Sequence, residues 1–187
     1  MGIAIVLAGG AGRRLGGVKP AALLAGRPLI EYVLDAAHAG GLEPVVVAKP
    51  DSSLPRLDCQ LVIEPLRPRH PLCGIVAGLR ALAEPAVVVC ACDMPFVSGE
   101  LLAWIERLSA PLAVAAPDAQ LQPLLGRYSR ALLPQLETAL AAQLPMRQLV
   151  RLLDAHLIGE SALARFGDPG RLCLNINTPA ELAAAGG

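Results

Sequence analysis

The sequence has no surplus of positive charge and few aromatic residues. Its 187 residues carry 16 basic and 16 acidic side chains, and aromatic residues make up only 3% of the chain. Proteins that bind nucleic acids or anionic membranes broadly carry an excess of lysine and arginine, and proteins that stack single-stranded bases need more aromatic rings. The composition therefore predicts no nucleic-acid partner and no membrane partner, and it favours an enzyme that acts on a small molecule.

The chain also lacks an uninterrupted apolar run of the length that crosses a membrane. Arg80 and Glu84 interrupt the apolar stretch 72–92, whereas a spanning helix needs roughly 20 apolar residues. Positive charges follow the N-terminal apolar run instead of preceding it, which is the wrong order for a signal peptide. We therefore expect a cytoplasmic protein.

Five cysteines at scattered spacing do not indicate a disulfide framework, so we expect reduced, buried thiols.

Strand-like and helix-like segments alternate along the chain, and 54% of its residues are hydrophobic. This alternation predicts a three-layer α/β sandwich with a mostly parallel sheet, in one domain that spans residues 1–187. Strands are predicted at 3–8, 44–48, 60–63, 86–92, 112–116, 121–128 and 172–175. Helices are predicted at 28–39, 71–83, 98–109, 130–143, 145–155 and from Thr178-Pro179 onwards.

Four predicted loops carry unusual residues where ligands are expected in such a sheet, beyond the carboxyl ends of the strands. They are the loop after the first strand, the loop 64–74, and the loops that follow Cys92 and Cys173. The first is rich in glycine, which lets backbone amides surround phosphate oxygens, and in positive charge, which neutralises them. The loop lacks the third glycine of the dinucleotide fingerprint and the Lys-Ser/Thr pair of a Walker A motif.

The other loops offer oxygen and nitrogen groups. Asp93 follows the apolar run 86–92 directly, and a carboxylate at that strand end suits Mg²⁺, although a residue there can also cap a turn. Asn175 and Asn177 are two residues apart, so a strand would place both on one face. They can bind a polar substrate, or serve local turn and N-cap bonds with Thr178. His70 precedes a predicted helix start that can receive a phosphate or sugar.

The motifs taken together resemble one family. The loop 7–19, with the segment 26–29, resembles the signature of sugar-nucleotide-type nucleotidyltransferases. With the segments 71–74, 92–96 and 175–179, the chain most resembles the molybdenum cofactor guanylyltransferases. This resemblance implies a Rossmann-like, mostly parallel sheet of the nucleotide-diphospho-sugar transferase type. It also implies transfer of GMP from GTP to the terminal phosphate of molybdopterin, with Mg²⁺ as cofactor.

The resemblance also assigns residue roles and partners. It implies catalytic roles for Arg13, Lys19 and Asp93, substrate binding by Asn175, Asn177 and Thr178, and a metal on Asp93. GTP and molybdopterin are the implied substrates, with other molybdenum cofactor proteins as candidate partners. The implied nucleotide-binding residues are Leu7, Ala8, Gly9, Gly10, Gly12, Arg13, Arg14, Lys19, Pro71, Leu72, Gly74 and Asp93.

Two departures from the family pattern leave alternatives open. Val18 stands where the family usually has aspartate, and His70 stands where it usually has glycine. The alternatives are a relative that uses CTP with molybdopterin or GTP with cobinamide phosphate, and a homologue that binds nucleotide without transferring it. A dinucleotide-dependent oxidoreductase is a further alternative, against which the missing third glycine argues.

Overall fold

The computed structural model describes residues 1–10 and 19–186. The strands are β1 (Gly2–Leu7), β2 (Leu23–Leu24), β3 (Arg27–Pro28), β4 (Leu42–Ala48), β5 (Gln60–Ile63), β6 (Ala86–Ala91), β7 (Leu112–Ala116), β8 (Gln122–Ser129) and β9 (His156–Gly159). The α-helices are α1 (Leu29–Ala39), α2 (Pro71–Ala81), α3 (Gly99–Glu106), α4 (Leu133–Ala141), α5 (Met146–Leu152), α6 (Glu160–Leu163), α7 (Pro169–Leu172) and α8 (Pro179–Gly186).

Seven of the strands form one sheet in the order β5-β4-β1-β6-β8-β7-β9. Strand β8 runs antiparallel to β6 and β7, and the other neighbouring pairs are parallel. Strands β2 and β3 pair in a separate antiparallel hairpin. The mostly parallel sheet that the sequence predicts is therefore confirmed. Because β5, β4, β1 and β6 are parallel neighbours, their carboxyl ends meet at one edge of the sheet.

Helices cover both faces of the sheet and give the three predicted layers. Side chains alternate along β1, so Ala4 and Val6 pack on one face while Ile3 and Ile5 pack on the other. The first face packs against α1 and α3, and the second packs against α2, α4 and α5. Strand β6 is buried on both faces, as its continuous apolar run predicts.

The predicted strand at 172–175 is wrong. Helix α7 covers Pro169–Leu172, and the residues after it form no strand. Asp168 begins this helix, since its carboxylate accepts a hydrogen bond of 2.7 Å from the backbone N–H of Arg171, and proline suits the first helical position. The seventh strand of the sheet is instead β9, which pairs with β7 at the sheet edge. Its short sequence has little apolar alternation, so the pattern did not predict it.

None of the helices within the described residues is long and apolar enough to cross a membrane.

Tyr128 provides a test of packing in the antiparallel part of the sheet. Its ring is fully buried, and its hydroxyl donates a hydrogen bond of 2.7 Å to the carbonyl oxygen of Pro123. Burial raises the pKa of this hydroxyl. We expect Tyr128→Phe to lower the free energy of unfolding by about 1–3 kcal/mol, because the carbonyl loses its donor away from water. Urea unfolding measures this change.

Tyr32→Phe is the matched control. The Tyr32 hydroxyl makes a hydrogen bond of the same 2.7 Å length to the carbonyl oxygen of Leu24, from a partly exposed side chain. Water can replace that donor, so the cost is smaller. Equal costs for the two variants would contradict the assignment of the Tyr128 effect to burial.

Candidate active site

A cleft of about 360 Å³ opens at the carboxyl ends of β1, β4, β5 and β6. All four segments that the sequence singles out contribute to its walls. The fourth segment reaches the cleft without the predicted strand. The predicted site residues that line the cleft are Leu7, Gly9, Gly10, Lys19, Pro71, Gly74, Asp93, Asn175 and Asn177.

An ion pair between Lys19 and Asp93 lies in the cleft. The ammonium nitrogen of Lys19 also donates a hydrogen bond of 2.7 Å to the Oδ1 atom of Asn177. The Asp93 side chain is 6% exposed and that of Lys19 is 17% exposed. Asp93 reaches the cleft because it lies two residues beyond the end of β6. The arrangement holds an ammonium group in a fixed place, where an incoming phosphate can accept its hydrogen bonds.

Backbone contacts bring the segment 175–177 to the cleft. The buried residue Ile176 donates its backbone N–H to the carbonyl oxygen of Asp93 at 2.9 Å. The Nδ2 atom of Asn175 donates to Gln122 Oε1 at 3.3 Å and to the carbonyl oxygen of Cys173 at 3.1 Å. The segment is therefore attached directly to the residue that carries the site's carboxylate.

Thr178 begins helix α8. Its hydroxyl accepts a hydrogen bond of 3.2 Å from the backbone N–H of Glu181, and the Glu181 carboxylate accepts from the backbone N–H groups of Asn177 and Thr178 at 2.7 and 3.0 Å. These reciprocal bonds form a capping box. Thr178 does not line the cleft, so its structural role here is the helix cap that fixes Asn177.

Ala8 and Leu72 also lie behind the cleft wall. Ala8 is buried and its backbone N–H donates to the carbonyl oxygen of Val47 at 2.8 Å. Leu72 is buried on α2, and its backbone N–H donates to His70 Nδ1 at 3.2 Å. Both amides are engaged within the protein. His70 thus serves as the N-cap of α2, and burial lowers the pKa of its imidazole.

Three predicted phosphate-binding residues, Gly12, Arg13 and Arg14, lie outside the described residues, as does the departure at Val18. Their roles therefore stay predictions.

A second charged pair, which sequence reasoning missed, lies at the β4–β5 end of the cleft. The Nζ atom of Lys49 is 3.4 Å from Oε2 of Glu64, and the two side chains are 3% and 5% exposed. Burial raises the pKa of the Glu64 carboxyl, and the charge of Lys49 opposes this shift. Each residue directly follows its strand, so the strand-end rule that selects Asp93 could also have found this pair.

The backbone of Gly9 lies close to the Glu64 carboxylate. A Cβ atom at position 9 would lie 1.8 Å from Glu64 Oε1, far inside van der Waals contact. Gly9 therefore packs its backbone against the carboxylate, and Gly9 and the Lys49–Glu64 pair line the same part of the cleft.

All five cysteines are free thiols. Four are buried, and Cys59 is partly exposed. Burial raises the pKa of Cys90 to about 12, and it raises the pKa of Cys92, which borders the cleft. Neutral, buried thiols of this kind are inert, so Cys90 and Cys92 are structural.

The fold is that of the nucleotidyltransferases. The crystal structure of 2-C-methyl-D-erythritol 4-phosphate cytidylyltransferase from Thermus thermophilus matches with a TM-score of 0.68 at 22% identity, over all of this chain and 98% of that one. The crystal structure of molybdopterin-guanine dinucleotide biosynthesis protein A from Archaeoglobus fulgidus matches with a TM-score of 0.80 at 29% identity, over 99% and 96% of the two chains.

The family follows from the sequence matches. Residues 4–159 match the family model described as the MobA-like NTP transferase domain. A molybdenum cofactor guanylyltransferase from Cereibacter sphaeroides is 34% identical over 97% of this chain and 93% of its own length. The chain belongs to the MobA-like NTP transferase family, and it is a nucleotidyltransferase enzyme of molybdenum cofactor biosynthesis.

Nucleotidyltransferases in general require a divalent metal ion. No group of three His, Cys, Asp or Glu side chains that could hold a metal occurs among residues 1–10 and 19–186. Asp93 supplies one nearly buried carboxylate, which pairs with Lys19, and Asn175 and Asn177 line the same cleft. One carboxylate with water and substrate phosphates is the donor set that Mg²⁺ usually accepts.

Asp93→Asn tests the carboxylate. Asparagine keeps the shape of the side chain and still accepts a hydrogen bond from Lys19, but it removes the negative charge. We expect metal-dependent nucleotidyl transfer to fall by about 10²-fold or more, while urea unfolding stays cooperative. Pyrophosphate release measures the transfer. Asp118→Asn, at an aspartate beyond the end of β7 and outside the cleft, is the control, and normal turnover by Asp93→Asn would show that the assignment is wrong.

Gly9→Ala tests the close approach to Glu64. The added methyl group must displace the Glu64 carboxylate, so we expect KM for the nucleotide to rise about tenfold or more. We expect kcat to change less, since Lys19 and Asp93 are not touched. Gly159→Ala, at the end of β9, is the control, because a Cβ there meets no heavy atom of the described chain within 4 Å. An unchanged KM in Gly9→Ala would contradict the idea that nucleotide binding depends on the position of the Glu64 carboxylate against Gly9.

Proposed function

We propose that this protein transfers GMP from GTP to the terminal phosphate of molybdopterin, and that it uses Mg²⁺. The products are molybdopterin guanine dinucleotide and pyrophosphate. The observation that carries the proposal is the Lys19–Asp93–Asn177 arrangement in a cleft at the carboxyl ends of parallel strands. Relatives over nearly the whole chain length are named molybdenum cofactor guanylyltransferase. We further propose that the reaction takes place in the cytoplasm, where GTP is available.

The phosphates of GTP bind at the Lys19–Asp93 end of the cleft. Among the described residues at that end of the cleft, Asp93 is the only carboxylate that suits a metal. Lys19 is the ammonium group closest to it. The predicted cations Arg13 and Arg14 precede it in the same loop and add positive charge. These groups neutralise the triphosphate and stabilise the leaving pyrophosphate.

The acceptor phosphate binds beside Asn175 and Asn177. Both side chains line the cleft, and Asn177 is hydrogen-bonded to Lys19. An oxygen of the acceptor phosphate attacks the α-phosphorus of GTP, and the bond from that phosphorus to the oxygen that bridges to the β-phosphorus breaks. Pyrophosphate leaves with both electrons of this bond. The attacking phosphate is already anionic near neutral pH, so the residues need to position and neutralise charge, without a general base.

The guanine base lies at the opposite end of the cleft, beside Glu64. If the phosphates occupy the β6 side, a nucleotide that extends along the strand ends brings its base towards β4 and β5. Glu64 Oε2 is paired with the Lys49 ammonium at 3.4 Å, but no contact from the described part of the chain has the geometry of a hydrogen bond to it. Guanine presents two neighbouring donors, its ring N–H and its amino group, and a carboxylate can accept both. Cytosine presents one amino donor beside acceptors, which suits a carboxylate less.

Mg²⁺, when bound, would supply positive charge that neutralises the phosphates of the substrate. Asp93 is the proposed protein ligand of the metal.

Other molybdenum cofactor proteins are the proposed partners that deliver molybdopterin or accept the product.

A panel of nucleotides and acceptors tests the proposal. Pyrophosphate release is measured with GTP, CTP or ATP as donor, and with molybdopterin or cobinamide phosphate as acceptor. We expect the highest kcat/KM for GTP with molybdopterin, because the base end of the cleft offers a carboxylate to the two guanine donors. Omitting Mg²⁺ should abolish release.

The same panel separates the alternatives. A preference for CTP would assign a cytidylyltransferase, and a preference for cobinamide phosphate would assign a different acceptor. Tight GTP binding without pyrophosphate release from any pair would indicate a nucleotide-binding homologue without transfer activity. Each of these results would overturn the proposed reaction.

A further inference from the structure

Lys49 holds the loop that carries Glu64. Its ammonium group donates a hydrogen bond of 2.7 Å to the carbonyl oxygen of Pro65 and a longer one of 3.4 Å to that of Pro68. Its third close partner is Glu64 Oε2, at 3.4 Å. Because Lys49 lies at the end of β4 and these partners follow β5, one buried ammonium fixes the start of the loop 64–74 against the sheet.

Lys49 also supplies the charge that compensates Glu64. Within the described chain, the titratable groups that face this carboxylate are Lys49 from the end of β4 and the Cys73 thiol from α2. Arg69 lines the same cleft but pairs with Asp51 at 2.5 Å. A buried carboxylate without a positive partner takes up a proton more readily, since burial penalises its charged form.

We propose that Lys49 is a positioning residue for nucleotide selection: it keeps Glu64 ionised and fixed at the base end of the cleft, and thereby sets the preference for guanine over cytosine. This inference rests on the proposed function, in which Glu64 accepts hydrogen bonds from guanine. An ionised carboxylate offers only acceptors, which match the two guanine donors. A protonated carboxyl presents a donor on one oxygen, which opposes guanine and matches the ring acceptor of cytosine.

Lys49→Met is the direct test, because methionine keeps an unbranched chain and removes the ammonium. Binding of GTP and of CTP is measured by titration calorimetry, without acceptor, between about pH 5.5 and pH 8.5. Loss of Lys49 raises the pKa of Glu64 further, since its opposing charge is gone. We expect GTP to bind about 10- to 100-fold more weakly than to the unchanged protein at the acidic end, with the difference shrinking as pH rises. CTP binding should not weaken at the acidic end, because the protonated carboxyl matches the ring acceptor of cytosine.

The stability of Lys49→Met should move with pH in the opposite direction. A carboxyl whose pKa is raised in the folded state favours folding below its unfolded pKa, and this contribution is lost as pH rises through the folded pKa. Relative to the unchanged protein, the variant should therefore unfold more easily as pH rises, while its GTP binding improves. A residue with only a structural role would not produce this opposition.

Two further variants complete the experiment. Lys49→Met/Glu64→Gln replaces the charged pair by two neutral side chains, which buried sites often tolerate. It should bind GTP weakly at every pH, without the pH dependence of Lys49→Met, and it provides the test if the single variant does not fold. Arg80→Met, which breaks the exposed Arg80–Glu137 ion pair of 2.8 Å outside the cleft, should bind both nucleotides normally.

Equal loss of GTP and CTP affinity at all pH values in Lys49→Met would overturn the inference, as would unchanged GTP affinity in either Lys49 variant. The proposed function fails separately, since it is measured as pyrophosphate release by the unchanged protein with molybdopterin. Binding without acceptor does not depend on that release.

Discussion

The ion pair between Asp93 and Lys19 is the contact on which the cleft depends. It joins the end of a buried central strand to the chain that follows the glycine loop, and the Lys19–Asn177 hydrogen bond adds the C-terminal segment. The hydrogen bond from the backbone N–H of Ile176 to the carbonyl oxygen of Asp93 also joins the C-terminal segment to the end of this strand. Because a buried carboxylate needs a positive partner, each segment is held by the others.

Charge is organised in the same way at the other end of the cleft. Lys49 and Glu64 form a second buried pair, and Gly9 packs its backbone against the carboxylate. The two charged pairs lie at opposite ends of the cleft, and in the proposed reaction one end binds the phosphates and the other binds the base. Residues 1–30 contain four basic side chains and no acidic one. The zero net charge of the whole chain therefore includes a local excess of positive charge.

Much of the fold follows from local pattern. The strands at 60–63 and 112–116 have the predicted bounds, and the continuous apolar run before Asp93 forms the central strand β6. The prediction failed near the C-terminus, where Asp168 caps a short helix instead of a strand. A few apolar residues fit either structure, and only the cap and the available partner strands decide between them. Strand β9 was missed for the related reason that an edge strand needs little apolar alternation.

The sequence by itself predicted that Asp93 and the glycines after the first strand lie where ligands bind, because both directly follow apolar strands, and Gly9, Gly10 and Asp93 do line the cleft. It did not determine which charges pair. The pairing of Lys19 with Asp93, and of Lys49 with Glu64, joins residues that are far apart in the chain, and only the strand order brings them together. Only the tertiary structure shows that Thr178 and Leu72 lie behind the cleft wall, since packing of their helices places them there.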